Sequence, residues 1–311
     1  MSVLLLGVGL LLILFPGAVA RVGRDLHPSE WGRISRASLW TGLRALQLGL
    51  FLAAVPTVFR AVHVDSVADA CHRVLGPAMP GGSFSGWVSA IGFVALVLRC
   101  HSARTNVQRL QRDARIESWL GEHHELDAGE LVILPTAEVL AYAAPGPPAQ
   151  VVISEGLASA LSPEELDAVV RHEMAHLRHH HDRYVTLAAI LDRALGWLPG
   201  VQASIGAVRL GVERWADEEA ATRPGARDVL RRALLKTTQT ILSPVPAFAT
   251  SCTVVDRLTA LDTPPNHPSL QRRAALVAPV LLLTGVVAAC LIVWSTHSHH
   301  GLIGLIGFCP L

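Results

Sequence analysis

The sequence predicts a mainly α-helical, multi-pass membrane protein that carries one water-facing α+β domain. Three observations predict it. Half of the 311 residues are hydrophobic (51%) and only 16% are charged, against about 25% in an ordinary soluble domain. The apolar residues gather into four blocks, long enough or nearly long enough to cross a bilayer. The stretch between the third and fourth blocks, 99–273, has the composition of a soluble domain and contains a capped amphipathic helix with a His-Glu-x-x-His pattern.

The first block, residues 2–20, holds no charge. Ala18-Val19-Ala20 has the small residues of a signal cleavage site, but no Lys or Arg precedes the apolar run, as a signal peptide usually requires. The block therefore predicts an uncleaved helix with its N-terminus outside. The second block runs over about 38–59, with Arg44 near its start and Pro56 near its end. An arginine so placed can serve a function, but near a helix end it usually snorkels to the membrane surface. The third block, about 84–98, is the shortest, and a run of its length also suits a buried core helix. The fourth, about 274–294, follows Arg272 and Arg273.

Arginines orient these blocks. Arg21, Arg24, Arg33 and Arg36 lie between the first and second, and Arg99, Arg104, Arg109, Arg112 and Arg115 follow the third. The loop 60–83 is poorer, and no Lys or Arg follows residue 294. By the positive-inside rule the 99–273 segment lies in the cytoplasm. The expected organisation is an N-terminal membrane region at 1–98 with three transmembrane helices, a domain at 99–273, and a C-terminal helix with a short external tail at 274–311.

The remaining composition narrows the function. A net charge of +1 excludes direct nucleic-acid binding run by charge. The five cysteines lie far apart without a CxxC pair, which suits neither a disulfide framework nor a thiolate zinc site. Lys236 is the single lysine among 26 basic residues, a bias that fits a GC-rich bacterial gene.

The chemistry lies in residues 162–181. Ser162 suits an N-cap, Pro163 the first helical position, and Glu165 completes a capping box. Leu166, Val169, Val170, Met174 and Leu177 then recur at helical spacing. On this helix His172 and His176 stand at i and i+4, one above the other on one face. Two imidazoles so placed can hold one tetrahedral Zn²⁺. Glu173 can then reach a water whose pKa the metal lowers to about 7, take its proton and return it to a leaving amine. With 15 histidines in the chain the pattern alone is weak, and the run His179-His180-His181 also suits a solvated helix end.

A third ligand is available downstream. Glu213 and Asp217 stand at i and i+4 on another predicted helix. Glu213 can complete a three-ligand site with one position left open, and Asp217 can orient a ligand histidine through a hydrogen bond. The alternative is an acidic helix face, since Glu218 and Glu219 follow directly.

With these residues in view the chain resembles the integral-membrane gluzincin peptidases. The resemblance rests on Val151-Val152-Ile153-Ser154-Glu155-Gly156-Leu157, on Leu161 to Val169, on His172-Glu173-x-x-His176 and on Glu213-x-x-Ala216-Asp217, and covers about 100–275. It implies a zincin-like α+β metallopeptidase domain with one Zn²⁺ per chain held by His172, His176 and Glu213. Glu173 is then the catalytic base and Asp217 the residue behind the ligands. The family places a small sheet before the zinc helix, which fits strand-like pieces at 131–134, 138–143 and 151–154. Its edge strand binds extended substrate, and here involves Val139, Ala141, Tyr142 and Ala143.

Two branches of that group are similar to this chain. The run Gly196-Trp197-Leu198-Pro199-Gly200 and the helix layout resemble the BlaR/MecR-type antirepressor peptidases. These imply a role in signal transduction, cleaving a winged-helix repressor. Asn266-His267-Pro268 resembles the HtpX-like quality-control proteases, which are grouped with the CAAX prenyl proteases. That likeness implies a catalytic role for His267 and substrate contact by Arg273. The plainer alternative is a stiff Pro-rich linker with Arg272 and Arg273 as membrane anchors. The chain lacks the SxxK of a penicillin-binding sensor after its last apolar block. The expected partners are a protein or peptide substrate and the lipid bilayer. Residues 185–211 are expected to form a hairpin that skims the membrane surface.

Overall fold

The computed structural model describes residues 1–23, 26–64, 82–126, 129–240, 251–262 and 269–306. Helices α1 (Ser2–Ala18), α2 (Ala20–Gly23), α3 (Pro28–Ala61) and α4 (Gly82–Ser118) come first. Strands β1 (Glu122–Leu126), β2 (Gly129–Leu134), β3 (Ala141–Ala144) and β4 (Gln150–Ser154) follow. Then come α5 (Glu155–Ala160), α6 (Pro163–Arg178), α7 (Asp182–Leu195), α8 (Val201–Ala220), α9 (Ala226–Thr240), α10 (Ser251–Asp262) and α11 (Leu270–Ile306). The fold is mainly helical with one small mixed sheet, as the sequence predicts.

Among the described residues, three helical segments are long and apolar enough to cross a membrane: Pro28–Ala61, Ser83–Ser118 and Arg273–Cys290. The first apolar block, expected as a fourth crossing, forms α1. α1 has 17 residues, about 26 Å at about 1.5 Å per residue, at the lower end of the lengths that cross a bilayer. One face of it packs against protein, with Leu5, Leu12 and Ile13 fully buried, while Val3, Leu4 and Leu11 on the other are exposed. A Cβ on Gly9 would stand 2.8 Å from the Gly42 carbonyl oxygen of α3, and a Cβ on Gly42 would stand 2.7 Å from that of Gly9. Two backbones so close exclude any larger residue at either position. The other end of α1 meets α8, where the Gly17 N–H donates to Ser204 Oγ at 3.0 Å.

Helices of the 99–273 segment pack on the N-terminal helices. Ile13 of α1, Leu39 and Leu43 of α3, and Leu96 of α4 share one apolar cluster with Leu191, Ile205 and Val212 of α7 and α8. Those two helices form a hairpin whose turn includes Gly200 in the left-handed region (φ 82°). This is the 185–211 stretch expected as a hairpin, and Trp197 is exposed at its turn.

The sheet runs in the order β1-β2-β4-β3. β2 and β4 are parallel, while β1 on β2 and β3 on β4 are antiparallel. Strand alternation puts Val151 and Ile153 against α6, with Leu157 and Leu161, and turns Val152 to the opposite face with Val132 and Ala144. β4 is therefore buried on both faces. The central pieces match the expected strands. β3 covers 141–144, against the expected 138–143, because residues 138–140 are anchored by the Ser154 side chain: Ser154 Oγ donates to Glu138 O and accepts from the Leu140 N–H. β1, Glu-His-His-Glu-Leu, is almost wholly exposed, so no apolar alternation announced it.

Candidate metal centre

The site is built on the capped helix. Ser162 Oγ accepts from the Glu165 N–H, and Glu165 Oε2 accepts from the Ser162 N–H at 2.9 Å, closing the capping box. Glu165 is buried and takes a second tie from Lys236 Nζ at 2.6 Å. The single lysine thus fastens α9 to the start of α6, an interaction that codon bias does not anticipate.

One turn apart on α6, His172 Nε2 and His176 Nε2 lie 3.1 Å from each other. Glu213, from α8, places Oε2 3.5 Å from His172 Nε2 and Oε1 3.8 Å from His176 Nε2. Ligands bonded at about 2.0–2.2 Å to one tetrahedral ion stand about 3.3–3.6 Å apart. Two imidazole nitrogens and one carboxylate oxygen at these separations fit a divalent metal, and His172, His176 and Glu213 form a group able to hold one.

Behind the three ligand atoms lies a second set of groups. His172 Nδ1 faces Asp217 Oδ1 at 3.0 Å, as the i, i+4 spacing of Glu213 and Asp217 predicts. Asp217 is buried and gripped by Arg257 of α10, whose Nε and Nη2 donate to Oδ2 and Oδ1 at 2.8 and 2.7 Å. Arg257 Nη1 also reaches Glu213 Oε2 at 3.0 Å. On the other side His176 Nδ1 meets His181 Nδ1 at 3.0 Å, and His181 is fully buried. The acidic run is not a solvated face, because each member has its own partner: Asp217 with Arg257 and His172, Glu218 with Arg227, and Glu219 with Arg178.

These contacts set the protonation of the metal-free site. Burial raises the carboxyls of Glu213 and Asp217, but the Arg257 charge and the His172 hydrogen bond outweigh it and hold both below the usual carboxylate range. Burial lowers His172, yet the Asp217 and Glu213 hydrogen bonds lift it to about 10. Burial pushes His176 down, and pushes His181 down to about 3 with help from the neighbouring His176. A group depressed in the fold loses its stabilising contribution as pH falls below its unfolded value. For His176 and His181 that loss begins near 6.5, and for the two carboxylates nearer pH 4. The His172 contribution runs the other way, complete below 6.5 and lost as pH rises toward about 10. The thermal midpoint of metal-stripped protein should therefore peak near neutral pH and drop on acidification, in two stages. A midpoint that is flat between pH 7 and 4 would contradict this arrangement.

A cavity of about 950 Å³ opens over the ligands. Its walls include Val139, Ala141, Tyr142 and Ala143 on one side and His172, Glu173, His176, Glu213 and Arg257 on the other. The four residues named from the resemblance as an edge strand are thus brought to the candidate centre. β3 ends the sheet, with β4 on one side only. The Tyr142 hydroxyl is already committed, donating to Ala114 O at 3.1 Å, and burial pushes it up to about 12.

Arg273 does not line this cavity. It stands in the first turns of α11, and its Nη1 lies 3.4 Å from Glu30 of α3. The arginine that does reach the centre is Arg257, sixteen positions upstream. His267 lies outside the described residues. Arg257 and His181 were missed by sequence reasoning. The only advance signal for Arg257 was the need of two closely spaced buried carboxylates for a cation. His181 was hidden in a histidine run that reads as wet.

Residues 109–216 match the family model described as Peptidase family M48. No solved structure matches the chain significantly. The matched segment contains His172, Glu173, His176 and Glu213 and ends one residue before Asp217. Over 109–216, the chain is similar to the metallopeptidases of family M48.

Proposed function

We propose that the chain is a membrane-bound zinc metalloendopeptidase that cuts a protein substrate at the cytoplasmic face of a bacterial cell membrane. The observation that carries this reading is the convergence of His172, His176 and Glu213 in a cavity walled by a sheet edge. His172, His176 and Glu213 would hold one Zn²⁺, with Asp217 fixing the tautomer of His172 through Nδ1. A zinc ion held there would supply Lewis acidity to a water and to the scissile carbonyl. Glu173, next in sequence to a ligand and exposed to the cavity, takes the proton from the attacking water and delivers it to the leaving amine. The substrate lies extended along residues 139–143 and adds a strand to the free edge of β3, so the main chain sets its position and its side chains set selectivity. Arg257 holds the Glu213 and Asp217 carboxylates in place.

The BlaR-like run at 196–200 favours a regulatory substrate, such as a winged-helix repressor, and a place in signal transduction. Asn266-His267-Pro268 favours a second reading, HtpX-like quality control of membrane proteins, in which His267 joins the catalytic groups. Comparing the membrane and cytosolic proteins stabilised in cells that carry Glu173→Gln separates the two: one stabilised regulator, or many misfolded membrane proteins.

The reading is tested on protein purified in detergent. One equivalent of zinc per chain is expected, with cleavage of an unstructured protein substrate abolished by a chelator and restored by stoichiometric Zn²⁺. Full cleavage after complete metal removal would refute it.

A further inference from the structure

His181 stands beside a proposed ligand, and the chain conformation puts it there. α6 ends at Arg178 and α7 begins at Asp182. Between them His180 adopts the left-handed region at φ 52°, uncommon for a residue with a Cβ, though histidine visits it more readily than most. That residue folds the chain back, so the His181 N–H donates to His176 O at 3.0 Å and the His181 ring stands under the His176 ring. Their Nδ1 atoms are 3.0 Å apart, with ring planes at 83°.

The His181 ring is boxed in. Trp215 lies 4.9 Å away and Tyr184 5.8 Å away, centroid to centroid, and His179 stacks on Trp215 at 4.6 Å. Arg33 and Arg36, both from α3, cover Trp215 and Tyr184 at 5.3 and 5.1 Å. His181 is 0% exposed, and its Nε2 has no hydrogen-bond partner among the described residues. The only polar atom the ring presents to a partner is Nδ1.

We infer that His181 is a positioning residue for the metal ligand His176, accepting a hydrogen bond at its Nδ1 from His176 Nδ1–H. Two nitrogens at this separation share one hydrogen. A ligand imidazole that offers Nε2 to a metal keeps its hydrogen on Nδ1, so His181 must be the acceptor and must carry its own hydrogen on Nε2. The two ligand histidines are then oriented by different chemistries, His172 by a carboxylate and His176 by a neutral imidazole. The inference rests on the zinc reading above. It also ties that ligand to α3, because Arg33 and Arg36 close the box that fixes His181.

The test uses the full chain in detergent, with zinc affinity measured by equilibrium competition against a chelator. His181→Leu removes the acceptor and should weaken zinc binding by about 10–100-fold. His181→Asn places a carbonyl oxygen near the Nδ1 position and should recover most of that loss, which a purely steric role would not allow. If His181→Leu does not fold, selective ¹⁵N-histidine labelling of the zinc-loaded wild-type protein decides. Expected are a hydrogen-bearing Nε2 and a bare Nδ1 on His181, with the reverse on His176. Wild-type affinity in His181→Leu, or a hydrogen found on His181 Nδ1, would overturn the assignment while leaving the zinc reading intact. A wild-type chain that binds no zinc would overturn both.

Discussion

Glu173→Gln is expected to reduce peptide cleavage by about 10²–10⁴-fold, the usual contribution of a positioned general base, while zinc content stays at one per chain. The substitution keeps the size and shape of the side chain and removes only the acid–base function. Glu173 contributes no ligand atom to the candidate centre, which consists of His172, His176 and Glu213, so metal retention and activity should separate cleanly. The measurement is a cleavage assay paired with metal analysis of the same preparation. Loss of both together would make Glu173 part of the metal cradle. Unchanged cleavage would remove it from the chemistry altogether.

Arg257→Met should have the largest effect on stability. Arg257 is largely buried and satisfies two carboxylates at once, Asp217 through a bidentate pair and Glu213 through Nη1. Removing one partner of a buried ion pair leaves an uncompensated charge, at a cost of about 3–5 kcal/mol. The metal-free protein should lose that stability in denaturant or thermal unfolding. The loss should be smaller with zinc bound, since the metal then neutralises part of the same charge. Arg257→Met combined with Asp217→Asn should recover part of the loss, because the second change removes the charge left alone. A double variant less stable than the single one would mean that Arg257 acts through packing instead.

Much of the site was legible because it is local. Ser162, Pro163, Glu165, His172, Glu173 and His176 belong to one helix, where spacing alone decides which side chains share a face. The capping box and the convergence of the two imidazoles follow from that periodicity, and the structure has both. The pairing of Glu213 with Asp217 was legible for the same reason, although bringing α8 beside α6 required the tertiary fold. The match of residues 109–216 to family M48 covers these local patterns as far as Glu213 and stops short of Asp217.

The rest depends on contacts between segments far apart in sequence. Arg257 comes to Asp217 across 40 positions, and Lys236 to Glu165 across 71. Neither pair has a periodicity to announce it. Composition correctly read long apolar helices at the second, third and fourth blocks. For the first block composition leaves the packing open, because an apolar face packed against protein and one facing lipid look the same in sequence. Gly9 and Gly42 pass as ordinary small residues until their backbones are seen in contact. By itself, then, the sequence determined the helices, the ligand spacing and the chemistry those residue types can support, since all of these are set within a few residues of chain. Only the tertiary structure decided that one face of α1 packs closely on α3, that Arg257 reaches the centre, and that a histidine from an apparently wet run stands beneath a ligand. Each of these is settled by which surfaces must be buried together, a quantity that has no value until distant segments meet.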